Sequence, residues 1–119
     1  HRKEIFNIYK KNLSNNNELK ILDTTNKSLT NSHWLCTIIT KRRFFLQKQL
    51  RKFNIETNQV HFRNDRYTIF KKFTQNKKFK NMDSVEEKYL VLPIHTKMKV
   101  SDAIYIGQQI NRILPYNKK

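Results

Sequence analysis

The chain has 119 residues, of which 25 are Lys or Arg and nine are Asp or Glu, giving a formal net charge of +16. Its length predicts a single domain over residues 1–119 with one hydrophobic core, which needs no metal or disulfide to hold it together. No apolar run approaches 18 residues and no basic segment precedes an apolar one, so the sequence shows neither a membrane span nor a secretory signal and predicts a cytoplasmic protein.

An amphipathic helix is predicted over residues 3–13, where Ile5, Ile8, Tyr9 and Leu13 recur at helical spacing. Residues 18–23 alternate over a short run, which predicts an edge strand. Residues 33–40 are β-branched and aromatic and are apolar on both faces. We therefore predict a central strand, covered by helices on one face and by a further domain on the other.

Cys36 lies within the predicted central strand, between apolar neighbours, and is the only cysteine. No charged residue beside it would lower the pKa of its thiol, so we predict a buried, unreactive side chain. The single cysteine also indicates a reducing compartment.

The next helix is predicted over residues 41–53, with Thr40 as its N-cap. Leu46, Leu50 and Phe53 form its buried stripe, while Phe44 and Phe45 are predicted to lie in the core or at an interface. Its basic side chains are predicted to face solvent: Arg42, Arg43, Lys48, Arg51 and Lys52.

The last third of the chain predicts a helical turn over residues 66–73, a mobile connection over 74–83, a strand over 89–92 and a helix over 101–114. Ser101 is the predicted N-cap of that helix. Its buried face is predicted from Ala103, Ile106, Ile110 and Ile113. The elements together predict an α+β domain: a small, mostly antiparallel sheet of three or four strands, with helices packed mainly on one face.

The strongest candidate for a site is the polar cluster formed by His61, Arg63, Asn64 and Asp65, directly after the strand-like alternation of residues 55–60. His61 is either an ordinary loop histidine or a residue that lines a cleft. The guanidinium of Arg63 suits a phosphate or a carboxylate, with a salt bridge to Asp65 or Glu56 as the alternative. Asn64 and Asp65 are either turn-forming residues or sugar contacts.

The order and spacing of several short motifs carry a family resemblance across nearly the whole chain. They are Arg2, Ile5, Tyr9 and Leu13 in the first helix; the apolar strand of residues 31–39; the Arg-rich helix closing in Asn54, Ile55, Glu56 and Thr57; the strand within residues 85–95; and Asp102, Tyr105, Ile106 and Ile110 in the last helix. This arrangement resembles the C-terminal small domain of the DegT/DnrJ/EryC1/StrS family, which are pyridoxal-phosphate-dependent aminotransferases acting mostly on nucleotide-linked keto sugars.

The resemblance implies that the intact enzyme uses pyridoxal phosphate and works as a homodimer on a nucleotide-sugar substrate. It places the cofactor lysine and the phosphate-binding loop on a large domain, so this chain alone is expected to be a fragment that is inactive and binds no cofactor. The cluster His61, Arg63, Asn64 and Asp65 would then bind substrate in the cleft that this domain closes.

Two other functions remain open at this point. The net charge, together with Phe44, Phe45, Phe62 and Tyr67, would suit a small nucleic-acid-binding domain, although the sequence holds no recognisable RNA-binding motif. The scarcity of Gly and Pro beside abundant Lys and Asn is typical of an AT-rich genome, and the cations are scattered along the chain, which makes a nucleic-acid partner the weaker reading. An inactive remnant is the other alternative. The spacing of Cys and His predicts no metal site.

Overall fold

The computed structural model describes residues 1–26 and 28–115. Its five helices are α1 (Arg2–Leu13), α2 (Arg43–Lys52), α3 (Lys71–Thr74), α4 (Lys80–Val85) and α5 (Val100–Ile113). Its three strands are β1 (Leu19–Ile21), β2 (Cys36–Thr40) and β3 (Tyr89–Leu92). Two short 3-10 turns, Asn64–Arg66 and Thr68–Phe70, precede α3.

The strands form one antiparallel sheet in the order β1-β2-β3, with β2 in the centre. Lys20 lies opposite Ile39, and Ile39 lies opposite Tyr89. Side chains on a strand point alternately to the two faces, and Cys36, Ile38 and Thr40 are buried while Thr37 and Ile39 are only half-buried. One face of the sheet therefore meets the core and the other is partly open. The predicted α+β fold, with an antiparallel sheet and helices mainly on one face, is confirmed.

The hydrophobic core lies between the sheet and the helices α1, α2 and α5. Ile5 and Tyr9 of α1, Leu46 and Leu50 of α2, and Ile110 of α5 are almost completely shielded from solvent. Tyr9 also donates a hydrogen bond from its hydroxyl to the Pro93 carbonyl oxygen over 2.9 Å, so its one polar group is satisfied. These contacts confirm the predicted stripes of the three long helices.

Burial also explains the chemistry of the single cysteine. Cys36 is fully buried at the start of β2. Because burial disfavours the thiolate, it raises the pKa of the thiol to about 12. The prediction of a buried thiol is confirmed, and an attacking thiolate is excluded at neutral pH.

The structure corrects several local predictions around α2 and α5. Thr40 is not the N-cap of α2: it lies three residues before the helix, and its hydroxyl accepts a hydrogen bond from the Arg42 amide at 3.2 Å. Ser101 is not the N-cap of α5 either, because it lies inside the helix. Lys99 is the N-cap residue, and the Lys99 amide donates to the Asp102 carboxylate over 2.8 Å. Neither predicted residue therefore takes the N-cap position, although each lies within three residues of the start of its helix.

Arg43 of α2 differs from the prediction, while for Phe44 and Phe45 only one of the two predicted places, the core, is excluded and an interface stays a prediction. Arg43 is buried, not solvent-facing, because its Nε donates to the Glu87 carbonyl oxygen at 3.1 Å and its guanidinium lies 3.7 Å from the ring centre of Phe44. Phe44 and Phe45 are exposed, so neither belongs to the core of this chain. Each instead contacts an arginine, with Arg42 lying 4.4 Å from the Phe45 ring centre.

The single glycine, Gly107, allows α1 and α5 to approach closely. A Cβ atom at this position would lie 2.9 Å from Cβ of Asn12 and 3.4 Å from its Cγ. The Asn12 side chain cannot easily turn away, since its Nδ2 donates to the Ile8 carbonyl oxygen, and the Asn12 carbonyl accepts a bond from Asn111. The two helices are therefore in contact through their backbones and first side-chain atoms.

We expect Gly107→Ala to lower the free energy of unfolding, although alanine is the better helix former. The overpacking penalty of about 1–3 kcal/mol exceeds the helix-propensity gain of about 0.5–1 kcal/mol. Urea denaturation followed by circular dichroism measures the difference. Gln108→Ala, at an exposed position of the same helix, is the matched control. An increase in stability at Gly107 would contradict the close helix contact.

Candidate functional site

The predicted strand over residues 55–60 is absent, and the segment is instead held by isolated contacts. Asn58 alone forms a bridge to Val91, with N–O distances of 3.4 and 2.8 Å. The amide of Ile55 donates to the Leu50 carbonyl oxygen, and Gln47 donates to the Thr57 carbonyl oxygen over 2.8 Å. Because α2 takes these backbone groups, they are not free to extend the sheet. Burial still alternates along the segment, which explains the strand-like pattern in the sequence.

The candidate loop, defined as residues 61–67, begins at a strained position fixed against β3. His61 has φ of 68°, in the left-handed region that residues other than glycine seldom adopt. The Tyr89 hydroxyl lies 3.2 Å from the carbonyl oxygens of both Val60 and His61 and donates to them. Such strain persists only where surrounding contacts hold it, and it is frequent at functional sites.

Arg63 is held in the centre of a cluster of carboxylates. Its Nε and Nη2 donate to the two oxygens of Asp65 at 2.9 and 2.7 Å, and its Nη1 donates to Asp83 at 2.6 Å and to Glu86 at 3.1 Å. These bonds use four of the five N–H donors of a guanidinium. Only 4% of the side chain is exposed. Of the two salt bridges considered from the sequence, the one to Asp65 is present, and Asp83 and Glu86 take the place expected for Glu56.

The cluster ties the candidate loop to α4. Asp83 lies in α4 and Glu86 directly follows it, and Glu86 also accepts a bond from Arg66 at 2.5 Å. Gln59 adds a further hydrogen bond to the Glu86 carbonyl oxygen. Asp83 was missed because residues 74–83 were predicted to be a mobile connection, and Glu86 because it falls in the strand motif of residues 85–95. Their spacing of three residues, which places two side chains on one face of a helix, was the available signal.

Hydrogen bonds within the cluster keep Arg63 and Asp65 charged. The hydrogen bonds from Arg63 hold the pKa of the Asp65 carboxyl below its usual value, and Asp65 and Asp83 in turn raise the pKa of the Arg63 guanidinium. A carboxylate elsewhere in the chain shows the same effect: side-chain hydrogen bonds from Lys10 and Asn31 lower the pKa of Asp23 to about 2. Arg63 and Asp65 are therefore a permanent ion pair at neutral pH.

The other two predicted site residues, His61 and Asn64, are exposed. Their ring and amide groups are open to solvent, in contrast to the paired side chains of Arg63 and Asp65. The structure thus brings all four predicted residues into one loop but divides them into two roles. His61 and Asn64 face outward, while Arg63 and Asp65 bind each other inside the loop.

A groove of about 720 Å³ runs beside the candidate loop. All four predicted site residues line it. Aromatic and apolar side chains form most of the remaining wall: Phe62, Tyr67, Phe70, Phe73, Phe79 and Met82. Phe62 and Tyr67 meet edge to face with ring centres 5.2 Å apart. An apolar groove with a few polar groups at one side is the usual form of a small-molecule site.

Trp34 also lies at this surface, although the sequence predicted it within the central strand. Its ring is 59% exposed and lies 6.0 Å from the His61 ring, at an angle of 52°. The contact joins residues 27 positions apart, so no local pattern in the sequence indicates it. Tyr89, whose hydroxyl fixes the start of the loop, was missed for the same reason.

The groove does not fit pyridoxal phosphate. Among the described residues that line it there is no lysine, so they offer no amine for the cofactor aldehyde. Its one cation, Arg63, is already bound to three carboxylates and is not free for a phosphate. Within residues 1–26 and 28–115 no group of three potential metal ligands occurs, and no helix is long and apolar enough to cross a bilayer.

Comparison with solved structures shows the fold of sugar aminotransferases. The chain aligns with sugar aminotransferase CalS13 from Micromonospora echinospora at a TM-score of 0.83 and 16% identity, covering 93% of this chain and 29% of that one. It aligns with PseC from Helicobacter pylori, an aminotransferase involved in the biosynthesis of pseudoaminic acid, at 0.78 and 19%, covering 95% and 32%. A DegT DnrJ EryC1 StrS aminotransferase from Brucella abortus gives 0.77 and 21%, covering 96% and 30%.

A sequence model of the DegT/DnrJ/EryC1/StrS aminotransferase family matches residues 1–111. The chain belongs to this family, as the motifs in its sequence indicated. It spans about 30% of the length of the structural relatives described above. A comparison with curated proteins finds no match.

Proposed function

We propose that this chain is the C-terminal portion of a pyridoxal-phosphate-dependent aminotransferase that transfers an amino group to a nucleotide-linked keto sugar. The family match over residues 1–111 is the observation that carries the proposal. This portion forms one wall of the substrate cleft, with the candidate loop and the adjoining groove facing the substrate.

The contacts of the candidate loop support a division of labour among the four predicted substrate-binding residues. His61 and Asn64 are exposed and offer an imidazole and an amide to the hydroxyl groups of a sugar. Arg63 and Asp65 act through position: their ion pair, joined to Asp83 and Glu86, holds the loop in one conformation. A rigid loop presents His61 and Asn64 with little entropy left to lose on binding.

The cofactor belongs to another part of the intact enzyme in this proposal. By intact enzyme we mean this chain together with a large pyridoxal-phosphate-binding domain, on the same polypeptide or a separate one, assembled as a homodimer. Pyridoxal phosphate supplies the amino-group chemistry there. The residues of this chain bind and orient the sugar nucleotide and help to keep water out of the cleft.

One experiment tests the cofactor assignment on this chain alone. After incubation with pyridoxal phosphate, treatment with borohydride and gel filtration, we expect no stoichiometric covalent label, because the groove lacks a lysine. Mass spectrometry of the intact chain measures the label, with a cofactor-binding aminotransferase as the positive control. One equivalent of cofactor fixed to a single lysine of this chain would contradict the proposed division between domains.

A further inference from the structure

Trp34 and His61 form an exposed aromatic pair next to the candidate loop. Trp34 is 59% exposed and His61 is also exposed, so both residues are accessible to a ligand from solvent. Trp34 adjoins the aromatic side chains of the groove through His61, and a contiguous exposed apolar patch of this kind marks an interaction site, whereas a single exposed ring does not. Neither ring has a role in the hydrophobic core.

The backbone fixes each ring in place. His33, directly before Trp34, has φ of 52°, and His61 has φ of 68°. The His33 ring packs edge-on against the buried Phe6 ring at 4.8 Å, which anchors the turn that carries Trp34. Tyr89 fixes the turn that carries His61. Two strained positions therefore hold the two rings together at a place that contributes nothing to the core.

The surroundings of the pair suit a flat, uncharged ring. His61 also lines the aromatic groove, so the Trp34 surface continues into the surface of Phe62 and Tyr67. Successive aromatic faces are the means by which proteins hold nucleobases without reading their identity. A nucleobase is a part of the substrate class proposed above whose recognition the polar residues of the loop do not explain.

We propose that Trp34 and His61 form the stacking site for the nucleobase of the nucleotide sugar. The inference rests on the proposed function for the choice of ligand. In this arrangement the base lies against the indole face, the His61 ring packs beside the indole, and the hydroxyl groups of the nucleotide sugar lie towards the His61 ring nitrogens and Asn64. Trp34 is thus a binding residue of the cleft in addition to the four predicted from the loop.

The chain contains one tryptophan, so its single indole N–H resonance reports on this position alone. With the ¹⁵N-labelled chain, we expect UMP and UDP-N-acetylglucosamine, each at about 20 mM, to shift that resonance in a saturable manner. Free N-acetylglucosamine at the same concentration is expected to leave it unchanged. His61→Ala should weaken the response to UMP, while Phe44→Ala, which removes an equally exposed ring on α2, should not.

Several outcomes would overturn the inference. One is an indole resonance that no nucleotide shifts, and another is a shift with the free sugar as large as with UMP. A third is a response to a short oligouridylate at concentrations far below those of UDP-N-acetylglucosamine, which would assign the surface to nucleic acid. None of these results measures amino transfer, so each leaves the proposed function to its own test.

In the intact enzyme, Trp34→Ala should raise KM for the nucleotide sugar by about five- to hundredfold, the loss expected when a stacking ring is removed. KM for the amino donor should not change, and Trp34→Phe should restore most of the binding because it retains a ring. An equal loss for both substrates would indicate a structural role. An enzyme that transfers amino groups normally with Trp34→Ala would reject the stacking site and keep the proposed function.

Discussion

Replacing Arg63 with alanine is expected to lower kcat/KM for the nucleotide sugar by about ten- to hundredfold in the intact enzyme. The guanidinium binds Asp65, Asp83 and Glu86, and its removal leaves three carboxylates close together without their common partner. The loop then loses its contacts from Arg63 to Asp83 and Glu86 and keeps only the exposed Arg66–Glu86 ion pair, so His61 and Asn64 are held less firmly towards the substrate. Steady-state kinetics at varied nucleotide sugar and fixed amino donor measure the loss.

Arg66→Ala is the matched control, because Arg66 lies on the same loop, is half-exposed and has a single ion pair, to Glu86. An exposed ion pair contributes little, so we expect at most about a twofold change. Arg63→Lys should recover only part of the activity, since an ammonium group cannot reproduce the two-pronged contact with Asp65. Equal effects of Arg63→Ala and Arg66→Ala would show that the carboxylate cluster does not position the loop.

Acid is expected to loosen the same loop, because protonation of the Asp65 carboxylate removes its ion pair with Arg63. Because the pKa of Asp65 is lowered in the folded chain, its contribution to stability is complete above the unfolded pKa of about 3.9 and is lost as pH falls through the lower folded value. NMR resonances of Phe62 and Tyr67 should therefore hold constant from neutral pH to about pH 4 and change below it. Arg63→Ala should show altered resonances already at neutral pH.

The largest loss of stability is expected from Ile110→Ala. Ile110 is completely buried on the face of α5 that meets the core, so truncation leaves a cavity and should cost about 2–5 kcal/mol. This is a large part of the roughly 5–15 kcal/mol that stabilises an ordinary domain. Urea denaturation at equilibrium gives the free energy of unfolding directly.

Ile104→Ala provides the control on the same helix, because Ile104 is 38% exposed and its truncation opens no cavity. We expect a change within about 0.5 kcal/mol. Similar losses at both positions would mean that α5 does not present the face towards the core that the structure shows.

The sequence predicted the parts of the fold that depend on local periodicity. The helical spacing of Ile5, Tyr9 and Leu13 gave α1 nearly to the residue, and the β-branched run around Ile38 gave the central strand. These patterns are visible in the sequence because an element that buries one face needs apolar residues at the spacing of that face. Helix ends were less well predicted, since Thr40 and Ser101 are good caps by residue type, but α2 begins three residues after Thr40 and α5 begins one residue before Ser101.

The candidate site was predicted as a set of residues but not as an arrangement. Residue type and order identified His61, Arg63, Asn64 and Asp65, including the local Arg63–Asp65 pair, yet the other two partners of Arg63 come from residues about 20 positions later. Nothing local shows which carboxylate will meet a given guanidinium. The Trp34 contact with His61 depends in the same way on how two distant turns are brought together, at positions where positive φ values are not evident from the sequence.

Segment 55–60 shows that the same alternation of buried and exposed side chains can occur in a strand and in a segment whose backbone bonds to a helix. Ile55 and Thr57 are buried and Glu56 and Asn58 are exposed, as in a strand. The backbone groups are nevertheless taken by α2 through Leu50 and Gln47. Periodicity reports which side chains are buried, and it does not report where the backbone hydrogen bonds go.

Amino transfer by the intact enzyme is the most direct test of the central claim. With glutamate as donor and a set of nucleotide-linked keto sugars as acceptors, we expect 2-oxoglutarate and an amino sugar nucleotide to form in equal amounts, as measured by mass spectrometry. The Arg63→Ala enzyme should form both products more slowly and in the same ratio. An intact enzyme that transfers the amino group to keto acids but to none of the nucleotide sugars would contradict the account.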